Sequence, residues 1–224
     1  LTDDIAQGRY ETGGKLPAEA QLSARFGVNR HTVRRALADM AAQGLVHSRR
    51  GAGVFVAAKP TDYPIGKRVR FHQNLAREGR IPGKRLLTLE TRAAGLREAE
   101  ALRLTAGDPV LVYDGLSLAD GQPIALAQAV FPAGLLPGLR EALEEESSIT
   151  KALKRCGVED YTRRETRIAA KLATATQALH LQISEGAPIL RTTSVSVDTT
   201  GTPIEFGRTW FAGDRVTLTV GGET

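Results

Sequence analysis

The sequence has 224 residues, 42% of them apolar, and a formal net charge of +5. That length suits two domains with real cores, while the apolar runs are too short and interrupted for a membrane span. One cysteine, Cys156, excludes an internal disulfide and, with no secretory signal visible, fits a reducing cytoplasm. The charge is unevenly held: residues 1–85 carry 16 Lys+Arg against 7 Asp+Glu, and residues 86–224 carry 14 against 18. A basic first third joined to a mildly acidic remainder implies that the first third alone meets a polyanion.

Leu1 to Gln7 reads as the end of a helix closed by Gly8. "ETGGKLP" is a loop, and Pro17 can open the next helix, over about Ala18 to Phe26, with Leu22 and Phe26 on one face. Gly27 breaks it, and Asn29 is a good N-cap for a third helix. There Val33, Ala36, Leu37 and Met40 form an apolar stripe, ended by Gln43-Gly44. Arg30, His31, Thr32, Arg34 and Arg35 fall outside that stripe. Leu45–Arg49 and Val54–Ala57 are short β patterns around the glycine-rich turn "RGAG". Helix, helix, turn, helix and two-stranded wing is a unit that can present the start of its third helix to a major groove. Arginine there suits a bidentate grip on guanine. Arg49 and Arg50, with Gly51 and Gly53 letting the wing backbone come close, suit a minor groove or its phosphates. The plain alternative is a solvated basic helix on an ordinary core.

"LPAEAQLSARFGVNRHTVRRALADMAAQGLV" followed by "GAGVFV" resembles the winged helix-turn-helix of the GntR family of bacterial regulators. Leu16-Pro17, Glu19, Leu22, Phe26-Gly27-Val28, Arg30, Thr32-Val33-Arg34, Ala36-Leu37, Gly44-Leu45 and Gly53 carry the resemblance. It implies sequence-specific binding of double-stranded DNA. Where some relatives carry a basic side chain, Ala20 offers none.

Residues 59–68, rich in Pro, Lys and Arg, read as a linker between a DNA-binding domain at 1–58 and a second domain at 69–224. That second domain contains a repeat. "ALRLTAGDPVLVYDGLSLADGQPIALAQAVFP" and "ALHLQISEGAPILRTTSVSVDTTGTPIEFGRTWF" both run Ala-Leu-x-Leu, spacer, Gly-x-Pro, strand, turn, Gly-x-Pro-Ile, strand. Asp120-Gly121 and Thr200-Gly201 are hairpin turns, and Pro123 and Pro203 open the returning strands. "LREALEEESSITKALKRCG" reads as helix and "YTRRETRIAA" as strand. The class is α+β with an antiparallel sheet.

A domain of this pattern behind such a head resembles the UTRA effector domain of the HutC subfamily, whose fold is similar to that of chorismate lyase. "DYP" at Asp62–Pro64, "RF-x-QNL" at Arg70–Leu75 and "TRI" at Thr166–Ile168 resemble the phosphonate-metabolism regulators of that subfamily. One short recognition helix reads too few bases for genomic specificity, so a homodimer on an inverted-repeat operator is expected; the resemblance implies a repressor whose DNA binding a small anionic effector changes, and no cofactor or metal is expected. Carried over from the wider family, the effector residues are Phe71, His72, Asn74, Ser117, Arg163, Arg164, Thr166, Glu205, Arg208 and Trp210. Phosphosugar-binding relatives carry Arg-x-Arg where this chain has Gly115 and Ser117, so an anion must be gripped by other arginines. Arg163 and Arg164 point to opposite faces of an alternating strand, so at most one enters a cleft. His72 also reads as an ordinary loop histidine, Glu205 with Arg208 as a surface ion pair, and Trp210 as core.

Two other function classes remain open: a lyase-like enzyme fused to a DNA-binding head, and a nucleoid-type DNA binder without effector. Against the first, the four histidines lack metal-ligand spacing, and neither HExxH nor G-x-S-x-G occurs. "TGGK" at Thr12–Lys15 lacks the first glycine and the trailing hydroxyl of a phosphate loop. Against the second stands the size of the second domain.

Overall fold

The computed structural model describes residues 1–49, 51–57, 60–68, 75–76, 79–146 and 148–220. The chain divides into two compact units: Leu1–Pro60, with which Gln182–Ser184 are grouped, and Thr61–Leu181 with Glu185–Thr224.

The first unit holds α1 (Thr2–Ala6), α2 (Glu19–Phe26), α3 (Arg30–Ala42), β1 (Val46–Arg49) and β2 (Gly53–Val56). Gly27 ends α2 at φ 65°, a left-handed conformation that costs glycine nothing. Two residues later Asn29 caps α3, its Oδ1 accepting from the Thr32 N–H at 2.8 Å, which satisfies one of the helix's orphan donors. One core joins Leu16, Leu22, Val33, Leu37, Met40, Val46 and Val56. Two residues of the expected stripes lie outside it. Ala36 is exposed, and Phe26, the last residue of α2, is 43% exposed with the Arg25 guanidinium 5.1 Å over its ring. β1 and β2 pair antiparallel, with His47 opposite Phe55.

The second unit contains β3 (Thr61–Pro64), β4 (Pro82–Ala93), α4 (Leu96–Leu102), β5 (Pro109–Ala119), β6 (Gln122–Pro132), α5 (Leu139–Glu145), α6 (Ile149–Arg155), β7 (Tyr161–Leu172), α7 (Ala175–Leu181), β8 (Pro188–Asp198), β9 (Pro203–Ala212) and β10 (Val216–Thr219). Six strands form an antiparallel sheet in the order β4-β5-β6-β9-β8-β7. The sequence repeat explains that order. Each half is strand, helix, hairpin, and the halves meet at β6–β9, so one half is the other turned about an axis through the sheet. The β5–β6 turn places Asp120 at φ 50° and Gly121 at φ 76°, the pair of positive φ values that matches strand twist.

Alternation sorts the strand residues onto two faces. Val110, Val112, Val130, Val195 and Phe206 pack with Ala99 and Leu102 of α4. On the opposite face Leu111, Tyr113, Ala129 and Phe131 pack with Leu139, Leu143, Ala152 and Leu153 of α5 and α6.

Two expectations are corrected. The stretch read as a linker, 59–68, contributes a strand: β3 pairs in parallel with β10, Thr61 opposite Val216, and Thr61 and Tyr63 are buried. Its partner lies far along the chain, and no local pattern announces such a pairing. The segment read as one helix is two, because Ser148 caps α6, its Oγ accepting from the Lys151 N–H, and a cap starts a helix rather than continuing one.

Candidate functional site

In the first unit the side chains of Arg30, His31, Thr32, Arg34 and Arg35 are all exposed at the start of α3. The Asn29 cap fixes that end, and the Thr32 hydroxyl also donates to Asn29 Oδ1 at 3.1 Å. Arg34 is held bidentately by Glu19 of α2, Nε to Oε1 at 3.2 Å and Nη2 to Oε2 at 2.8 Å. That bond lowers the Glu19 carboxyl below its usual range and raises Arg34. A largely solvent-exposed pair adds little to stability. Its effect is to fix the guanidinium plane beside the helix. Arg49 ends β1 opposite Gly53. Gly51 and Gly53 adopt φ 73° and 109°. Arg50 lies outside the described residues.

The second unit contains a cavity of about 310 Å³ on the α5–α6 face of the sheet. Its floor is made of small residues from the central strands: Ser117, Ala125, Ala127, Ser194, Gly207 and Thr209. A Cβ added to Gly207 would stand 3.1 Å from Ser194 Oγ and 3.6 Å from Glu205 Oε1, so glycine there leaves the floor open. The walls come from Tyr63 of β3, Phe211 of β9 and Ile149 to Lys151 of α6. The rings of Tyr63 and Phe211 lie 5.0 Å apart. The hydroxyls of Thr150 and Tyr161 are hydrogen-bonded at 2.9 Å.

The lining is cationic: Lys67, Lys84, Lys151, Lys154 and Arg163 against one carboxylate, Glu205. Lys84 and Arg163 are equivalents in the two halves. Each is third in its edge strand, and each sits opposite a serine, Lys84 opposite Ser117 and Arg163 opposite Ser196. Burial lowers the Lys84 ammonium to about 8, opposed by the Glu205 charge and reinforced by that of Arg163. Burial also raises the Tyr63 phenol. Glu205 Oε2 accepts from Ser196 Oγ at 2.9 Å. A cavity of this size, lined mainly by cations, has the charge-assisted donors that a small anion requires.

Of the effector residues expected from sequence, the cavity brings together Ser117, Arg163 and Glu205. Arg164 occupies the register shift between Arg163 and Glu165 and is exposed. Thr166 pairs with Ser194 but does not line the cavity. Arg208 and Trp210 alternate with Gly207 and Thr209, and so lie on the opposite face. Arg208 there donates to Gln128 Oε1 at 3.2 Å and stacks over Phe206. Phe71, His72 and Asn74 lie outside the described residues. Beside Ser117, Arg163 and Glu205 the cavity places Lys84, Tyr63 and Lys67, none of which the resemblance singles out. Lys84 was legible in principle, since the repeat places it where Arg163 stands in the other half.

Among the described residues, no group of three or more His, Cys, Asp or Glu is placed to hold a metal ion. Among them, too, no helix is long and apolar enough to cross a membrane.

Residues 1–56 match the gntR family of bacterial regulatory proteins, and residues 77–217 match the UTRA domain. The chain belongs to the GntR family. Within that family it is a transcriptional regulator of the HutC type, a DNA-binding head with a small-molecule effector domain. An uncharacterized HTH-type transcriptional regulator of Rhizobium meliloti is 40% identical over 217 residues, 96% of this chain and 89% of that protein. The probable transcriptional regulator PhnF of Escherichia coli is 32% identical over 221 residues, 98% of this chain and 91% of that protein. The crystal structure of PhnF from Mycobacterium smegmatis superposes with a TM-score of 0.72 at 29% identity, covering 99% of this chain and 97% of that one. These GntR-family relatives are transcriptional regulators, not enzymes.

Proposed function

We propose that this protein is a cytoplasmic, ligand-responsive repressor that binds an inverted repeat as a homodimer and responds to a small oxyanion, a phosphonate or a close analogue. Arg30, His31, Thr32, Arg34 and Arg35 read or position the DNA from the start of α3, with the wing residues Arg49, Arg50, Gly51 and Gly53 on the backbone or minor groove. One recognition helix reads too few bases for genomic specificity, which favours a dimer on paired half-sites. The observation that carries the effector reading is the meeting of Lys84 and Arg163, from equivalent places in the two halves, over a small polar floor. A dianion needs two or three such donors. The "RF-x-QNL" and "TRI" resemblance favours a phosphonate. A phosphosugar or amino-acid catabolite is the rival. A neutral ligand stacked on Trp210 is disfavoured, because that ring lies on the other face of the sheet.

Selection of the full chain against random duplexes tests the DNA half. Inverted repeats are expected to enrich, and Arg30→Ala to relax preference at one position per half-site at a cost of about 1–3 kcal/mol. A protein with no preference for any inverted repeat over bulk DNA would not be such a regulator.

A further inference from the structure

Two opposite charges stand in the cavity without neutralising each other. Glu205 is half-buried and accepts one hydrogen bond, from Ser196 Oγ to its Oε2 at 2.9 Å. Among the described residues it forms no ion pair within 4.0 Å. Its other oxygen, Oε1, lies over Gly207, where the absent side chain leaves it open to the cavity. Arg163 also lines the cavity. Its backbone N–H donates to Lys67 O at 2.8 Å, but its guanidinium donates to no described residue. The two residues flank Ser196 on either side, Arg163 in register from β7 and Glu205 from β9. Two strand spacings put their Cα atoms about 10 Å apart.

A partly desolvated carboxylate or guanidinium outside any ion pair costs the fold free energy, and at Glu205 the charge of Lys84 offsets part of that cost. If the cavity took only a dianion, Glu205 would add repulsion against the ligand's own charge. The help it gives in keeping Lys84 charged is set against that repulsion. A glutamate kept open beside an unsatisfied arginine suits a molecule that satisfies both.

We infer that the cavity takes a zwitterion, a short chain with an oxyanion at one end held by Arg163 and an ammonium at the other held by Glu205. The inference rests on the effector reading of the cavity and narrows it. Lys84 strengthens the oxyanion end, and the Thr209 hydroxyl on the floor is a further acceptor for the ammonium. The volume, near the lower end for small-molecule sites, suits an aminoalkylphosphonate or an ω-amino acid.

Calorimetry on the full chain at pH 7 tests this with three probes: 2-aminoethylphosphonate, ethylphosphonate and β-alanine. The wild type is expected to bind 2-aminoethylphosphonate at least about tenfold tighter than ethylphosphonate, the loss that follows from one missing charged hydrogen bond. Glu205→Gln, with its fold checked by thermal unfolding, is expected to erase that advantage, so that the two phosphonates bind alike. Arg163→Gln is expected to weaken both phosphonates. Ethylphosphonate binding as tightly as the amino compound in the wild type overturns the inference and leaves the phosphonate reading standing. So does an advantage that survives Glu205→Gln. β-Alanine binding tighter than either phosphonate supports the zwitterion and overturns the phosphonate reading. Failure of all three to bind at millimolar concentration overturns both. Should Glu205→Gln not fold, the wild-type comparison decides alone.

Discussion

Lys84 links the chemistry of single residues to a measurable pH dependence. Its ammonium is lowered to about 8, chiefly by burial. The unfolded chain therefore holds that proton more tightly than the fold does. The charged lysine costs the fold stability below about pH 8, and the cost disappears as pH rises through the ordinary lysine range. An oxyanion in the cavity reverses the preference, because it favours the charged form. Affinity for 2-aminoethylphosphonate should accordingly fall as pH rises from 7 to 9, with proton uptake on binding above pH 8. Lys84→Gln should bind several-fold more weakly at pH 7 and lose this component, as calorimetry in buffers of different ionisation enthalpy would reveal. At this scale sequence reading was selective. Alternation limited the cleft to one of Arg163 and Arg164, and the register shift at Arg164 accounts for its exposure. The resemblance also points to Arg208 and Trp210, but parity with Gly207 and Thr209 puts them on the far face. Lys84 went unread because a lone lysine in "GKR" has no local signature; only its equivalence to Arg163 marks it.

Among the elements, α4 shows how one ion pair fixes a helix on the sheet. Glu98 is its third residue, and Oε2 accepts from the Gly95 N–H at 3.0 Å, which caps the helix start. The same carboxylate grips Arg92 of β4 with both oxygens, at 2.7 and 2.8 Å. Glu98 is 5% exposed, and the Arg92 guanidinium, first among the causes, lowers its carboxyl to about 2. This stability is present above the ordinary glutamate range and is lost as pH falls towards 2. Arg92 is 35% exposed, and the resulting screening limits the contribution. Glu98→Gln should therefore lower stability by about 2 kcal/mol at neutral pH and remove this part of the acid dependence, as denaturant melts at pH 7 and pH 3 would register. The helix–hairpin repeat was legible from sequence, since Gly-x-Pro-Ile and the Asp-Gly turn are local signals with a steric basis. The β3–β10 pairing was not, because "TDYP" meets its partner only after the sheet has formed. The break at Ser148 was hidden by helix-forming residues on both sides, which propensity alone would run together.

For the molecule as a whole, the charge split now has a structural counterpart. Exposed arginines crowd the start of α3 in one unit, and the described residues that line the charged cavity all belong to the other. A regulator needs these two sites coupled. The effector shifts DNA binding only by the difference between its affinities for the DNA-competent and incompetent states, and the reverse effect on ligand binding must be equal. Coupling of about 1–3 kcal/mol suffices for a switch. The most direct measurement is the affinity of the full chain for its selected inverted repeat, with and without saturating 2-aminoethylphosphonate, in wild type and in Arg163→Gln. A change in DNA affinity of about 5-fold to 150-fold is expected in the wild type, moved to higher ligand concentration by the substitution. DNA affinity that stays constant while calorimetry records the ligand bound would contradict it.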